Sequence, residues 1–179
     1  MKKIILTVFA ASSLLLYSTQ AFALINFSVG VPLSHTITGK YSDGTEIKSE
    51  GVSGTFIQVG VPMLPGIGMD SYKTKIESDD PFELETMIYN LYYLLPIPII
   101  NLTLGVGTGS TTFKCSGCDA YFDKGSASQW YASFGMPIIP LFDLHLSYRS
   151  VSSKIKTKSG SIEHDLGGNV MGLGIGFNF

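Results

Sequence analysis

The last nine residues, Met171-Gly-Leu-Gly-Ile-Gly-Phe-Asn-Phe179, carry a large apolar side chain at every odd position and glycine or asparagine at every even one. A period of two is the repeat of an extended strand, whose successive side chains point to opposite faces. Met171, Leu173, Ile175, Phe177 and Phe179 form one apolar face, while Gly172, Gly174, Gly176 and Asn178 leave the other crowded or polar. A strand divided in this way fits a barrel wall, with lipid on one side and a packed interior on the other.

The opposite end of the chain is consistent with export. Lys2-Lys3 precedes an apolar run from Ile4 to Leu16, and small residues follow, ending Ala21-Phe22-Ala23. This is the layout of a secretory signal peptide with an Ala-x-Ala cleavage site. The run of about 13 apolar residues is shorter than the roughly 20 that span a bilayer as a helix. Cleavage is expected after Ala23, so that 1–23 is the leader and 24–179 is a single barrel domain. Of 12 basic and 14 acidic residues, only Lys2 and Lys3 leave with the leader, so the mature chain carries excess negative charge. That balance argues against a nucleic-acid partner.

High apolar content (45%) with few charged residues (15%) then has to be reconciled with the lack of any stretch long enough for a helical span. Alternation locates eight candidate strands, at about 25–37, 54–62, 66–77, 84–94, 97–109, 127–136, 141–152 and 166–179. An even number of roughly ten-residue strands predicts an all-β, eight-stranded, antiparallel up-and-down transmembrane barrel. Ile25, Phe27, Val29, Val31, Leu33 and Ile37 are assigned to the lipid face of the first strand. Ile57, Val59 and Val61 take that face on the second, and Phe142, Leu144, Leu146 and Tyr148 on the seventh. The third and fourth strands have no clear phase, because 69–76 is polar on both faces and 87–95 apolar on both. Tyr89, Tyr92, Tyr93, Trp130, Tyr131 and Phe134 lie toward strand ends, where amphipathic rings favour a membrane interface.

The connections alternate in kind. Val61-Pro-Met-Leu-Pro-Gly66, Leu94-Leu-Pro-Ile-Pro-Ile99 and Met136-Pro-Ile-Ile-Pro-Leu141 each set two prolines in an apolar corner, where proline fixes the backbone and cannot donate to a ladder. Between them lie the polar segments Thr38–Ser53, Glu77–Glu83, Ser110–Ser126 and Ser153–Asp165. Short turns at one end and longer polar loops at the other are the periplasmic and extracellular ends of an outer-membrane barrel.

Taken together, these features resemble the small eight-stranded bacterial outer-membrane barrels: the OmpA membrane domain, the OmpX and Ail group, and the OmpW-like group. The ending resembles their C-terminal assembly signal, with Phe179 as the final aromatic, Phe177 two residues before it and Gly174 upstream. The resemblance implies a cell outer-membrane location, outer-membrane lipid and lipopolysaccharide as surroundings, and the barrel-assembly machinery as a partner. For the OmpA, OmpX and Ail types it implies a structural or surface-interaction role carried by four external loops, with an extracellular ligand left open. For the OmpW-like type it implies a narrow path for small hydrophobic solutes.

Three sets of residues are candidates for chemistry. Cys115-Ser-Gly-Cys118 lies in the third polar segment. In an exported chain with no thioredoxin-like strand-helix context, a disulfide that staples the loop is preferred to a redox centre or half a zinc site. No metal site or cofactor is expected, since His35, His145 and His164 are not placed to complete one. Asp143, His145, Ser147 and Arg149 share the inward face of the seventh strand, so Asp143, His145 and Arg149 are expected to join a polar network in a lumen largely filled by side chains. His145-Leu-Ser147 also resembles the His-x-Ser element of the PagL lipid A deacylase. However, Tyr148 stands where that family has Asn, the candidate acid Glu163 falls in a loop, and the strand phase turns the pair inward. A non-enzymatic barrel is the preferred reading. A soluble lipocalin-type barrel would invert the faces, but charges gather in the loops and nearly spare the first, second, fifth and eighth strands.

Overall fold

The computed structural model describes residues 25–40, 44–61, 64–78, 82–97, 100–139, 141–158 and 163–178. The signal peptide and Phe179 therefore lie outside the described residues. Alternation and β-branched content produce strands β1 (Asn26–Ile37), β2 (Ser49–Gly60), β3 (Pro65–Ile76), β4 (Phe82–Ile97) and β5 (Ile100–Lys114). A single helical turn, α1 (Cys118–Tyr121), separates these from β6 (Gly125–Ile139), β7 (Phe142–Lys156), β8 (Glu163–Asp165) and β9 (Gly168–Asn178).

Each strand from β1 to β7 pairs antiparallel with the next in sequence, β7 pairs with β9, and β9 closes the wall on β1. The short β8 continues β9 in one register: Val151 faces Gly168 and Lys154 faces Asp165, with Leu166 N donating to Ser153 O across the break at 2.8 Å. Eight staves thus close into an up-and-down barrel, as the alternation predicts.

The outer wall is graded along its length. From the proline turns upward it exposes Ile25, just before β1, and Phe27 to Leu33 on β1, Val61, just after β2, and Val59 and Ile57 on β2, Ile97 to Met87 on β4, Ile100 to Val106 on β5, and Phe142 to Tyr148 on β7. About nine residues at roughly 3.3 Å each, tilted roughly 40°, make a belt of about 23 Å, close to the apolar band of an outer-membrane barrel. Above it outward positions turn to serine and threonine and then to charge, as in Thr108, Ser110, Thr112 and Lys114 on β5. A closed barrel has no unpaired edge, so a wall with this exterior satisfies its backbone within lipid. The protein is therefore a membrane-spanning barrel of the outer-membrane type, with the proline turns at its inner rim.

The structure revises three assignments. Ile37 faces inward, because the β1–β9 register shifts between Pro32 and Ser34, and the bulge exposes Leu33 and Ser34 together and reverses the phase beyond them. Tyr92 and Tyr131 are buried in the interior, while Tyr89, Tyr93, Trp130 and Phe134 face outward. Strands β2, β4, β5, β6 and β7 also reach further into the polar segments than their apolar alternation does, because serine and threonine keep the ladder after the belt ends.

Candidate functional site

Inward-facing side chains stack in three levels. At the inner rim Asn26 donates to Asn178 Oδ1 (2.6 Å), and both Asn178 (2.7 Å) and Asn101 (2.6 Å) donate to Asp143 Oδ2. His145 Nε2 lies 4.0 Å from the same carboxylate oxygen. Its ring lies against the two glycines on neighbouring strands, Gly135 and Gly176, where a Cβ would collide with it.

The middle level is built around charge. Arg149 Nε donates to Asp70 Oδ2 of β3 at 3.0 Å, and both residues are almost wholly buried. Gln129 of β6 donates to Asp70 Oδ2 (2.5 Å) and to Asn90 Oδ1 (2.7 Å). The guanidinium carbon sits 3.6 Å from the Phe56 ring centroid and 5.0 Å from that of Tyr131. A desolvated cation over aromatic faces gains quadrupole attraction that partly offsets its lost hydration. A further chain links Ser28 to Gln58 Oε1 (3.0 Å) and Gln58 Nε2 to the Tyr131 hydroxyl (2.7 Å). Gly105, next to the Tyr131 ring, leaves no room for a Cβ.

Above this level Tyr72, Ile88, Val151 and Val170 are buried beside a few polar side chains. His35 Nδ1 lies 2.8 Å from Thr74 Oγ1, and the Thr86 and Thr111 hydroxyls are 3.3 Å apart. Beyond these the interior turns apolar. Ile37, Ile76, Leu84, Phe113 and Ile155 from the strands meet Ile47, Cys118 and Leu166 from the loops, with Phe82 and Phe122 packed against them. Phe113 lies between Phe82 and Phe122, with ring centroids at 4.6 and 4.8 Å. Cys118 is joined to Cys115 in a disulfide with Cα atoms 5.2 Å apart, and α1 begins there.

The residues singled out from the sequence therefore fall into different places. Asp143 and His145 are neighbours at the inner rim. Arg149 does not reach them, because six residues along one strand is roughly 20 Å, and it is paired by Asp70 instead. Ser147 lies inside the wall, donating to Gly172 O (3.2 Å) and accepting from Arg149 Nη1. Its hydroxyl is engaged there, and neither it nor His145 faces lipid, which is where a deacylase would meet its substrate. Gly174 lies in β9 with Phe177, whose ring stacks on Phe142 (5.0 Å) and Phe27 (6.3 Å). Among the described residues no group of three or more His, Cys, Asp or Glu side chains is placed to hold a metal ion. Asp70, Asn90, Asn101, Phe56 and Gln129 were not identified from the sequence: Asp70 and Asn90 come from the two strands without a clear phase, and for Phe56, Asn101 and Gln129 alternation gives at most a face and never a partner on another strand.

At the outer rim, on the outside of the wall, Glu85, Met87, Ser110, Thr112 and Lys114 of β4 and β5 form one side of a groove of about 500 Å³. Phe122, Asp123, Lys124 and Lys158 form the other side. Loops three and four are tied together here by Asp123 N to Lys156 O and Lys158 N to Tyr121 O, each 2.9 Å.

No family model and no curated protein matches the chain. Among solved structures it is similar to Neisserial surface protein A, with a TM-score of 0.61 at 14% identity, covering 87% of this chain and 96% of that one. It also aligns with Ail of Yersinia pestis (TM-score 0.48, 13% identity, 88% and 99% covered) and with the outer-membrane protein AlkL (0.49, 14%, 88% and 88%). The first likeness shows the shared eight-stranded fold.

Proposed function

We propose that the protein is a non-conducting outer-membrane barrel whose role is carried at its extracellular rim. The observation that supports this reading is the apolar plug, in which Ile47, Cys118 and Leu166 pack onto inward-facing Ile37, Leu84, Phe113 and Ile155. An apolar layer over a buried ion pair opposes the passage of water and ions, and eight strands enclose only enough space for side chains to fill. The loops then serve as a rigid outer surface, reinforced by the Cys115–Cys118 disulfide and the extension of β7 and β8 above the belt.

Reconstitution into planar bilayers and into solute-loaded vesicles tests this. The expected result is no stepwise conductance and no accelerated entry of small polar or hydrophobic solutes compared with protein-free membranes. Steady single-channel steps, or saturable uptake of a hydrophobic solute, would establish a transport barrel and displace this reading.

A further inference from the structure

The groove on the outer wall is a place where the side chains of the loops meet the outward face of the barrel, and its position along the membrane normal limits what can occupy it. Met87 is the last apolar outward residue of β4, above Tyr89, Leu91 and Tyr93 in the lipid belt. Across the ladder, Met87 faces Ser110 and Glu85 faces Thr112. The groove floor therefore begins where the belt ends, at the level of the outer-leaflet headgroups. The half-buried Phe122, whose ring packs on Phe113 of the plug, lies on the opposite side of the groove with Lys124 and Lys158, and Lys114 stands on the β5 side.

The charges are mixed in a specific way. Three lysines stand against Glu85 and Asp123, with Lys114 Nζ 3.8 Å from Glu85 Oε2, the lysine exposed and the glutamate half-buried. A site with net positive charge, two carboxylate acceptors and two hydroxyls suits a ligand that carries phosphate together with hydroxyl or amide donors. Lysine binds phosphate as a point charge, while carboxylates and serine or threonine hydroxyls take the sugar groups. Met87, the apolar side chain of the β4–β5 floor and continuous with the belt below it, gives an acyl chain somewhere to run.

We propose that this groove binds the headgroup of a phosphorylated glycolipid of the surrounding outer leaflet, with Lys114, Lys124 and Lys158 on phosphate and the acyl chains descending over Met87. The proposal rests on the membrane placement above but not on the closed lumen. Cationic residues at a membrane surface are attracted to anionic headgroups, and three of them lining one groove add their attractions at one site.

The test uses the purified full barrel in detergent micelles. Its probes are a bisphosphorylated lipid A, the same lipid stripped of phosphate, and inorganic phosphate. The wild type should bind the phosphorylated lipid, and the lysine ammonium resonances of Lys114, Lys124 and Lys158 should shift with it and not with the stripped lipid. The Lys114→Gln/Lys124→Gln/Lys158→Gln variant should bind about tenfold more weakly, as expected for losing several charge-assisted contacts. Lys73→Gln/Lys75→Gln, on the outer face of β3, should bind like the wild type. Equal binding of the stripped lipid, equal loss in both variants, or unshifted resonances would overturn the proposal. Displacement of the lipid by inorganic phosphate would assign a soluble anion to the site and overturn the lipid occupant. A heat-dependent gel shift in every variant separates failure of the groove from failure of the barrel.

Discussion

Arg149 is the residue on which the interior depends most, because its charge has been removed from water and has one carboxylate partner, Asp70. Breaking a buried pair from one side leaves the other charge uncompensated and typically costs roughly 3–5 kcal/mol, while replacing both partners by neutral groups is far milder. Arg149→Met is therefore expected to lower the unfolding free energy in urea by about that amount, and Asp70→Asn/Arg149→Met to recover most of it. Equal loss in both variants would show that the guanidinium acts through packing on Phe56 and Tyr131 rather than through charge. Arg149 and Asp143 were legible in the sequence as inward residues, but Asp70 was not. It lies on a strand where Tyr72 and Thr74 face in while Lys73 and Lys75 face out above the belt, so neither face reads as apolar. A second residue-scale expectation concerns Glu163. The Lys154 ammonium, 2.7 Å away, holds its carboxyl below the ordinary range, and Glu163 in turn raises Lys154. A lowered carboxyl contributes at pH above its unfolded value, and the contribution is lost as pH falls through the lowered one. An NMR titration of Glu163 should show a depressed midpoint that Lys154→Met moves back toward the ordinary range, with Lys156 Nζ, 3.8 Å from the same carboxylate, keeping part of the depression.

At the level of elements, alternation located every stave, but the ends were harder to place. A strand that leaves lipid exchanges isoleucine and leucine for serine and threonine, which reads as loop by composition although its backbone still pairs, as Ser126 does with Lys154. The bulge at Pro32 was equally hidden, since a proline that cannot donate marks a break in pairing without saying which way the phase will turn. The proline corners, by contrast, were legible because both composition and position restrict proline to strand ends. The two environments along β7 lead to a direct test. Leu146 lies in the belt and is 46% exposed, while Ser152 lies above it. Leu146→Arg is expected to destabilise the barrel in vesicles by roughly 2–4 kcal/mol, the cost of a basic side chain near the bilayer midplane. Ser152→Arg, next to Lys154, should be nearly neutral. A similar small cost for both would mean that the belt does not lie in lipid.

Which side of the wall is wet is a property of the whole molecule, and period two alone leaves it undecided. What decides it is the distribution of size and charge over the closed surface: glycine, asparagine and a paired arginine inside, and a continuous apolar band outside that stops where lysine and glutamate begin. Trp130 is the chain's single tryptophan, and it reports on this boundary. It is 54% exposed on the outer wall, with its ring 5.9 Å from that of Tyr148 at the upper margin of the band. An indole here places its apolar body among acyl chains and its N–H near the headgroups, as aromatic rings do at membrane interfaces. In vesicles its emission should be blue-shifted and resist aqueous acrylamide. Lipids brominated at successive depths should quench it most when the bromines lie near the headgroup end of the chain, and Trp130→Phe should abolish the signal. Strong acrylamide quenching with no effect of brominated lipid would place the same ring in water. The band from Ile25 to Leu33 and from Phe142 to Tyr148 would then have to be covered by something other than a bilayer.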